Sequence, residues 1–233
     1  MMMDNPVLLI GTLALATLAP FVLAVGSCFL KFSVVFALLR NGIGLQQVPS
    51  NMVLNGIAVI MTAFVMMPIF NQAQNYYRDQ QIDLSNPASL QLFLDEGLSP
   101  YRKYLARYAS PEMVQFFGEL HEAQLRDDTQ ADSQAPARTP DDRIDPEQAS
   151  LLTLLPAYAL SELKSAFEIG FYIYLPFVVV DMLVSNVLLA LGMMMMSPVT
   201  IALPIKLILF VMMDGWEKIV KGMILQYVQL AGQ

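Results

Sequence analysis

The spacing of the apolar runs constrains this chain more than any other feature. Residues 7–30, 52–70, 169–191 and 199–213 are mostly apolar, and each has a proline inside it or at its edge. A helix rises about 1.5 Å per residue, and the hydrocarbon core of a bilayer takes about 20 residues to cross. The fourth run, from Val199 to Met213, would extend only about 22 Å against a core of about 30 Å. It also contains Pro204 and Lys206. Interrupted helices of this kind persist where protein or a water-filled passage covers the freed backbone groups. An all-α membrane protein made of broken helical hairpins is the fold these runs predict.

Charge divides the chain further. The formal net charge is -7, and residues 71–150 hold 14 of the 20 acids with 7 of the 13 bases, which accounts for all of it. An acidic block argues against nucleic acid as a partner, because phosphate binding needs a basic surface. The organisation expected is an N-terminal apolar hairpin over 1–70, an acidic extracytoplasmic insertion over 71–150, and a C-terminal apolar hairpin over 151–233. A polar link at 31–52 carries Lys31 and Arg40 and no acid, which makes it cytoplasmic by the positive-inside rule. Inside the insertion, Ser99-Pro100 and Ser110-Pro111 each read as a helix start. From 126 to 150 large apolar side chains nearly vanish, which predicts a disordered loop. The N-terminus has an acid and no base ahead of its apolar run, unlike a cleaved signal, and reads as retained.

Glu162, Lys164, Glu168, Asp181 and Lys206 are embedded in or beside apolar sequence, where an unpaired charge costs a few kcal/mol or more. Glu162 and Lys164 lie near an end and can snorkel. Asp181 and Lys206 call for a charge partner or a wet lumen. Catalytic chemistry is not expected. The single histidine, His121, falls in the acidic block, and Cys28 is the only cysteine. No phosphate loop, nucleophile elbow or zinc-binding histidine pair is present, so neither an enzyme nor a cofactor is expected.

LGMMMMSP, residues 191–198, stands out. Methionine is unbranched and polarizable, so it adapts to irregular apolar shapes. It serves as gap filler inside a core, and equally as a lining that closes around whatever passes. Four apolar runs are too few to enclose a wide route alone, whereas symmetric assembly would turn one loop into a ring of thioethers. Apolar constrictions can gate by dewetting. A subunit of a passage, a small oligomeric ion or solute channel and a passive assembly scaffold all fit these residues.

Two longer blocks narrow the choice by likeness. FLKFSVVFALLRNGIGLQQVPSNMVLNGIAVIMTAFVMMP, residues 29–68, resembles the first signature of the FliP/SctR export-gate proteins of type III secretion systems. LPAYALSELKSAFEIGFYIYLPFVVVDMLVSNVLLALGMMMMSPVTIALPIKLILFVMMDGW, residues 155–216, resembles the second, with the injectisome SctR branch most similar. The resemblance implies a bacterial inner-membrane gate for unfolded secreted proteins, with much of the assembly on the periplasmic side. It implies a homo-oligomer, taken to be five copies, joined by SctS-type and SctT-type subunits. On that likeness Met193, Met194, Met195 and Met196 form the pore gasket. Glu162 and Lys206 form a charge pair between adjacent copies. Asp181 keeps a structural or lumen role.

Overall fold

The computed structural model describes residues 13, 17, 18, 20–45, 47–80, 96–128, 145, 146, 149–193 and 195–231. Every regular element among them is helical. A helical stretch at 20–25 and a turn at 26–28 precede α1 (Phe29–Ile43), α2 (Asn51–Asp79), α3 (Ser99–Tyr108) and α4 (Pro111–Asp128). Then come α5 (Leu151–Ala190), α6 (Pro198–Met212) and α7 (Gly215–Ala231). Helices α2 and α5 are long and apolar enough to cross a membrane, and α6 with α7 as far as Val228 adds a third span if that pair, bent by 56°, counts as one. The protein is an all-α membrane protein.

The first apolar run is interrupted by a turn at 26–28, which separates the helical stretch at 20–25 from α1; residues 1–12, 14–16 and 19 lie outside the described residues. One expectation needs correcting. The segment 31–52, read as a polar link, is mostly α1. Phe32, Val35, Phe36, Leu39 and Ile43 recur at three and four and are each at most 1% exposed, and burying each contributes roughly 1.5–3 kcal/mol. That stripe decides the segment's fate despite its charges. Lys31, one of the two basic residues of that link, is itself 1% exposed. Its Nζ lies 3.4 Å from Gln226 Oε1 and 4.8 Å from the centre of the Tyr227 ring. Arg40 donates to Asn51 Oδ1 at 2.6 Å and to the Pro49 carbonyl at 3.4 Å, fastening the end of α1 to the start of α2.

The chain forms two compact units that alternate along the sequence, one from Met1–Leu30 and Met66–Glu162, the other from Lys31–Val65 and Leu163–Gln233. In the first unit α3 lays its tyrosines on the N-terminal part of α5. The Tyr104 and Tyr158 hydroxyls are 2.6 Å apart, and Tyr101 Oη donates to the Gly26 carbonyl at 2.8 Å. The Ser110 amide donates to Ser161 Oγ at 2.8 Å. Burial pushes the Tyr101 phenol up to about 12. Burial also pushes Tyr108 up to about 12, with Arg107 opposing and Glu162 and Cys28 adding to the rise. Tyr104 is raised further by its deeper burial, and its bond to Tyr158 only partly offsets this. Both Ser-Pro helices form, and Ser110 Oγ accepts from the Met113 amide at 3.3 Å as a cap; Ser99, read as a cap as well, is instead the first residue of α3, with Leu98 as N-cap and no side-chain cap bond. Helix α4 continues to Asp128, so the first residues of the expected loop are helical; 129–144, 147 and 148 lie outside the described residues.

In the second unit Leu39 and Ile43 of α1, Phe177 of α5 and Phe210 of α6 form one core, with Leu45, Ile173, Leu207 and Ile219 packed against it. Helix α7 turns back over α1. Its Trp216 meets the Phe210 ring edge-on at 5.7 Å and Phe36 at 6.0 Å, and Tyr227 lies 6.1 Å from Phe32. The bend between α6 and α7 is made by Asp214, at φ 51°, and by Gly215, which sits against the Phe210 ring.

Candidate functional site

Two backbone devices define the methionine loop. Helix α5 ends in a Schellman motif: Gly192 adopts φ 72°, its amide donates to the Leu189 carbonyl, and the Met193 amide donates to the Leu188 carbonyl, both at 3.0 Å. This satisfies carbonyls that a helix end otherwise leaves open. Helix α6 begins at Pro198, whose fixed φ suits a first helical position. The preceding Ser197 is extended (ψ 120°), and its carbonyl accepts from Thr200 Oγ1 at 2.8 Å. Within the loop the Met196 amide reaches the Met193 carbonyl at 3.3 Å. Met193 is 40% exposed, Met195 103% and Met196 45%, while Met194 lies outside the described residues. A methionine filling a gap in its own core would be buried. These three are turned outward.

Lys206 and Asp181 meet. The Lys206 ammonium donates to Asp181 Oδ2 at 2.6 Å and to the Gly42 carbonyl at 3.3 Å. The lysine side chain is 9% exposed and the aspartate side chain 46%. The end of α1 explains the second bond. Gly44 adopts φ 93°, its amide donates to the Asn41 carbonyl, and the Leu45 amide donates to the Arg40 carbonyl. This Schellman motif covers those two carbonyls and leaves that of Gly42 for the lysine. A cation at a helix C-terminus is also favoured by the helix dipole. Asp181 thus has the charge partner its position called for.

Glu162 sits in the first unit and is 2% exposed. Its charge is felt by the Tyr104 and Tyr108 phenols. Lys164 and Glu168 are exposed on α5. No group of three histidine, cysteine or acidic side chains able to hold a metal ion occurs among the described residues. Gly42 is not singled out by the sequence, which marks Lys31 only as a charge of the polar link. The helical spacing of the α1 stripe carried a signal for both, since it places each within a buried helix.

Comparison with known proteins agrees in extent with this architecture. Residues 12–223 match the model of the FliP family. The surface presentation of antigens protein SpaP of Salmonella typhimurium is 54% identical over 229 residues, covering 98% of this chain and 100% of the relative. The Yop proteins translocation protein R of Yersinia pestis is 44% identical over 219 residues, 94% of this chain and 95% of its own. The harpin secretion protein HrcR of Erwinia amylovora is 39% identical over 215 residues, 91% of each. With a family match spanning the methionine loop and every described helix at least in part, this chain belongs to the FliP family.

Proposed function

We propose that this protein is a pore-forming subunit of a type III secretion export gate, which passes unfolded proteins across the bacterial inner membrane, and that its methionine loop seals the closed pore. The observation that carries this reading is the loop itself. Exposed thioethers at Met193, Met195 and Met196 are held between two sharply ended helices of an apolar chain. Soft side chains presented outward adapt to a partner surface or to a passing chain, and a ring of them excludes water when empty. The names of the relatives, which speak of secretion and translocation, support it. Several copies, taken as five, close the ring with SctS-type and SctT-type subunits, and much of the assembly lies on the periplasmic side.

Glu162 and Lys206 join adjacent copies in this proposal. An ammonium carries three donors; Asp181 and Gly42 take two, which leaves one for Glu162 of a neighbouring copy. For that bond Glu162 has to turn out from beside Tyr104 and Tyr108. Such a pair is costly to desolvate and costlier to break, so it specifies register more than it adds stability. Reversing the charge at either position is expected to abolish the complex on a native gel, and normal complexes from both single reversals would remove the pair.

The seal is tested by replacing Met193, Met194, Met195 and Met196 together with alanine and measuring ion leak through the assembled complex. A rise in leak is expected. An unchanged barrier with assembly intact would refute the seal and leave the chain a scaffold.

A further inference from the structure

We infer that the Asp181–Lys206 ion pair is a clamp that sets the resting position of the methionine loop, Asp181 being a positioning residue that acts through Lys206. This rests on the reading of the loop as the seal. Helices α5 and α6 run into and out of the loop within one unit. Asp181 lies about 14 Å before the end of α5 at Ala190, and Lys206 about 12 Å after the start of α6 at Pro198, at 1.5 Å per residue. The two charges are therefore nearly level with one another as seen from the loop. The next rung has the same symmetry, because Phe177 faces Phe210 with ring centres 6.3 Å apart, one further turn from the loop on each arm.

The two rungs differ in kind. An aromatic contact tolerates sliding and tilt, and its dispersion energy changes gradually with position. A charge-assisted hydrogen bond of 2.6 Å fixes one atom of one arm against one atom of the other. The bond from Lys206 to Gly42 ties the same point to α1, so the base of the loop is held on both arms and against a third helix.

The pair is also asymmetric. Lys206 is nearly covered while the Asp181 carboxylate is about half exposed. Removing the aspartate charge leaves Lys206 its bonds to Gly42 and, in the assembled ring, to the neighbouring Glu162, and takes away the only charge-assisted bond that ties it to α5. Removing the lysine leaves an aspartate that the rest of its own chain only half covers. The clamp therefore has its handle on the Asp181 side, and its failure frees α6, with the loop, to shift against α5.

The experiment uses the assembled complex. Leu189 and Val199, both exposed and one on each side of the loop, are changed to cysteine and spin-labelled in the otherwise wild-type chain, in Asp181→Asn and in Asp181→Glu. Labelled copies are diluted among wild-type copies so that assembly does not depend on them. Distances between the labels are read by double electron–electron resonance. A narrow distribution is expected for the wild type and for Asp181→Glu, and a broad or displaced one for Asp181→Asn. Complexes made wholly of Asp181→Asn are expected to leak ions roughly tenfold more, the effect of breaking a half-exposed pair. Unchanged distances in Asp181→Asn overturn the clamp whatever the leak. A labelled Asp181→Asn copy that never enters the complex also counts against it, since a loosened hairpin alone does not bar entry. The alanine replacement of the four methionines decides the seal separately, so either idea can fail while the other stands.

Discussion

Replacing Gly192 by alanine isolates the backbone device that starts the methionine loop. At φ 72° this residue lies in the left-handed region, where a Cβ costs roughly 1–2 kcal/mol. Alanine also favours continuation of the helix over glycine by roughly 1 kcal/mol. Both effects push α5 to run on through residue 192, for a total of about 2–3 kcal/mol. That is a factor of roughly 30–150 in the balance between stopping and continuing. Packing does not blur the reading, because a Cβ at 192 meets nothing within 4 Å. A spin label at Met195→Cys in the assembled complex reports whether the loop is retained, and ion leak reports whether the seal is. Gly192→Ala is expected to change both, and Gly192→Asn to change them less, because asparagine tolerates the left-handed region better. Gly222→Ala, in α7 and with equally open space around its Cβ, is the matched control and is expected to be neutral or mildly stabilising. If Gly192→Ala matches the wild type in both measurements, the loop does not depend on this helix stop and the reasoning fails.

Gly215→Ala would place a methyl group within the Phe210 ring; a loss of about 1–3 kcal/mol from overpacking is expected as a lower midpoint in thermal unfolding, with partial recovery in Gly215→Ala/Phe210→Leu. Tyr104→Phe removes one partner from the buried Tyr158 hydroxyl, and the expected cost is roughly 0.5–1.5 kcal/mol. The double change with Tyr158→Phe is expected to cost less than the two singles together, and strict additivity in the unfolding free energies would deny the bond. The Tyr101 and Tyr108 phenols, raised from an ordinary value of 10.0 to about 12, hold their protons in the folded state after the unfolded chain has released them. Their contribution is therefore intact below pH 10 and lost between about pH 10 and 12. Tyrosinate absorbance titrated across that window is expected to lag behind that of the denatured chain, and coincident curves would contradict the burial.

Legibility from the sequence followed the range of the interactions involved. The ends of the methionine loop were plain, since Gly192 and Ser197-Pro198 act on backbone groups a few residues away. The two Ser-Pro helix starts were plain for the same reason. Helix α1 is hidden behind Lys31 and Arg40, which mark the segment as a polar link although its stripe at 32, 35, 36, 39 and 43 has clean helical spacing. What makes a buried Lys31 tolerable is Gln226 and Tyr227, far along the chain and invisible to any local window. Asp181 and Lys206 are each conspicuous as charges in apolar sequence, yet neither position alone names its partner. The pairing could have been read. Once LGMMMMSP is taken as the tip of a hairpin, the two positions fall level on its arms, and an acid and a base so placed inside apolar helices have one cheap way to coexist, which is to face each other. The exposed Asp181 edge has a different origin. A clamp meant only for stability would cover both charges or replace them with apolar side chains of similar volume, often at no loss. Leaving one carboxylate half open while the lysine is covered lets the pair break from one side, as the proposed clamp requires.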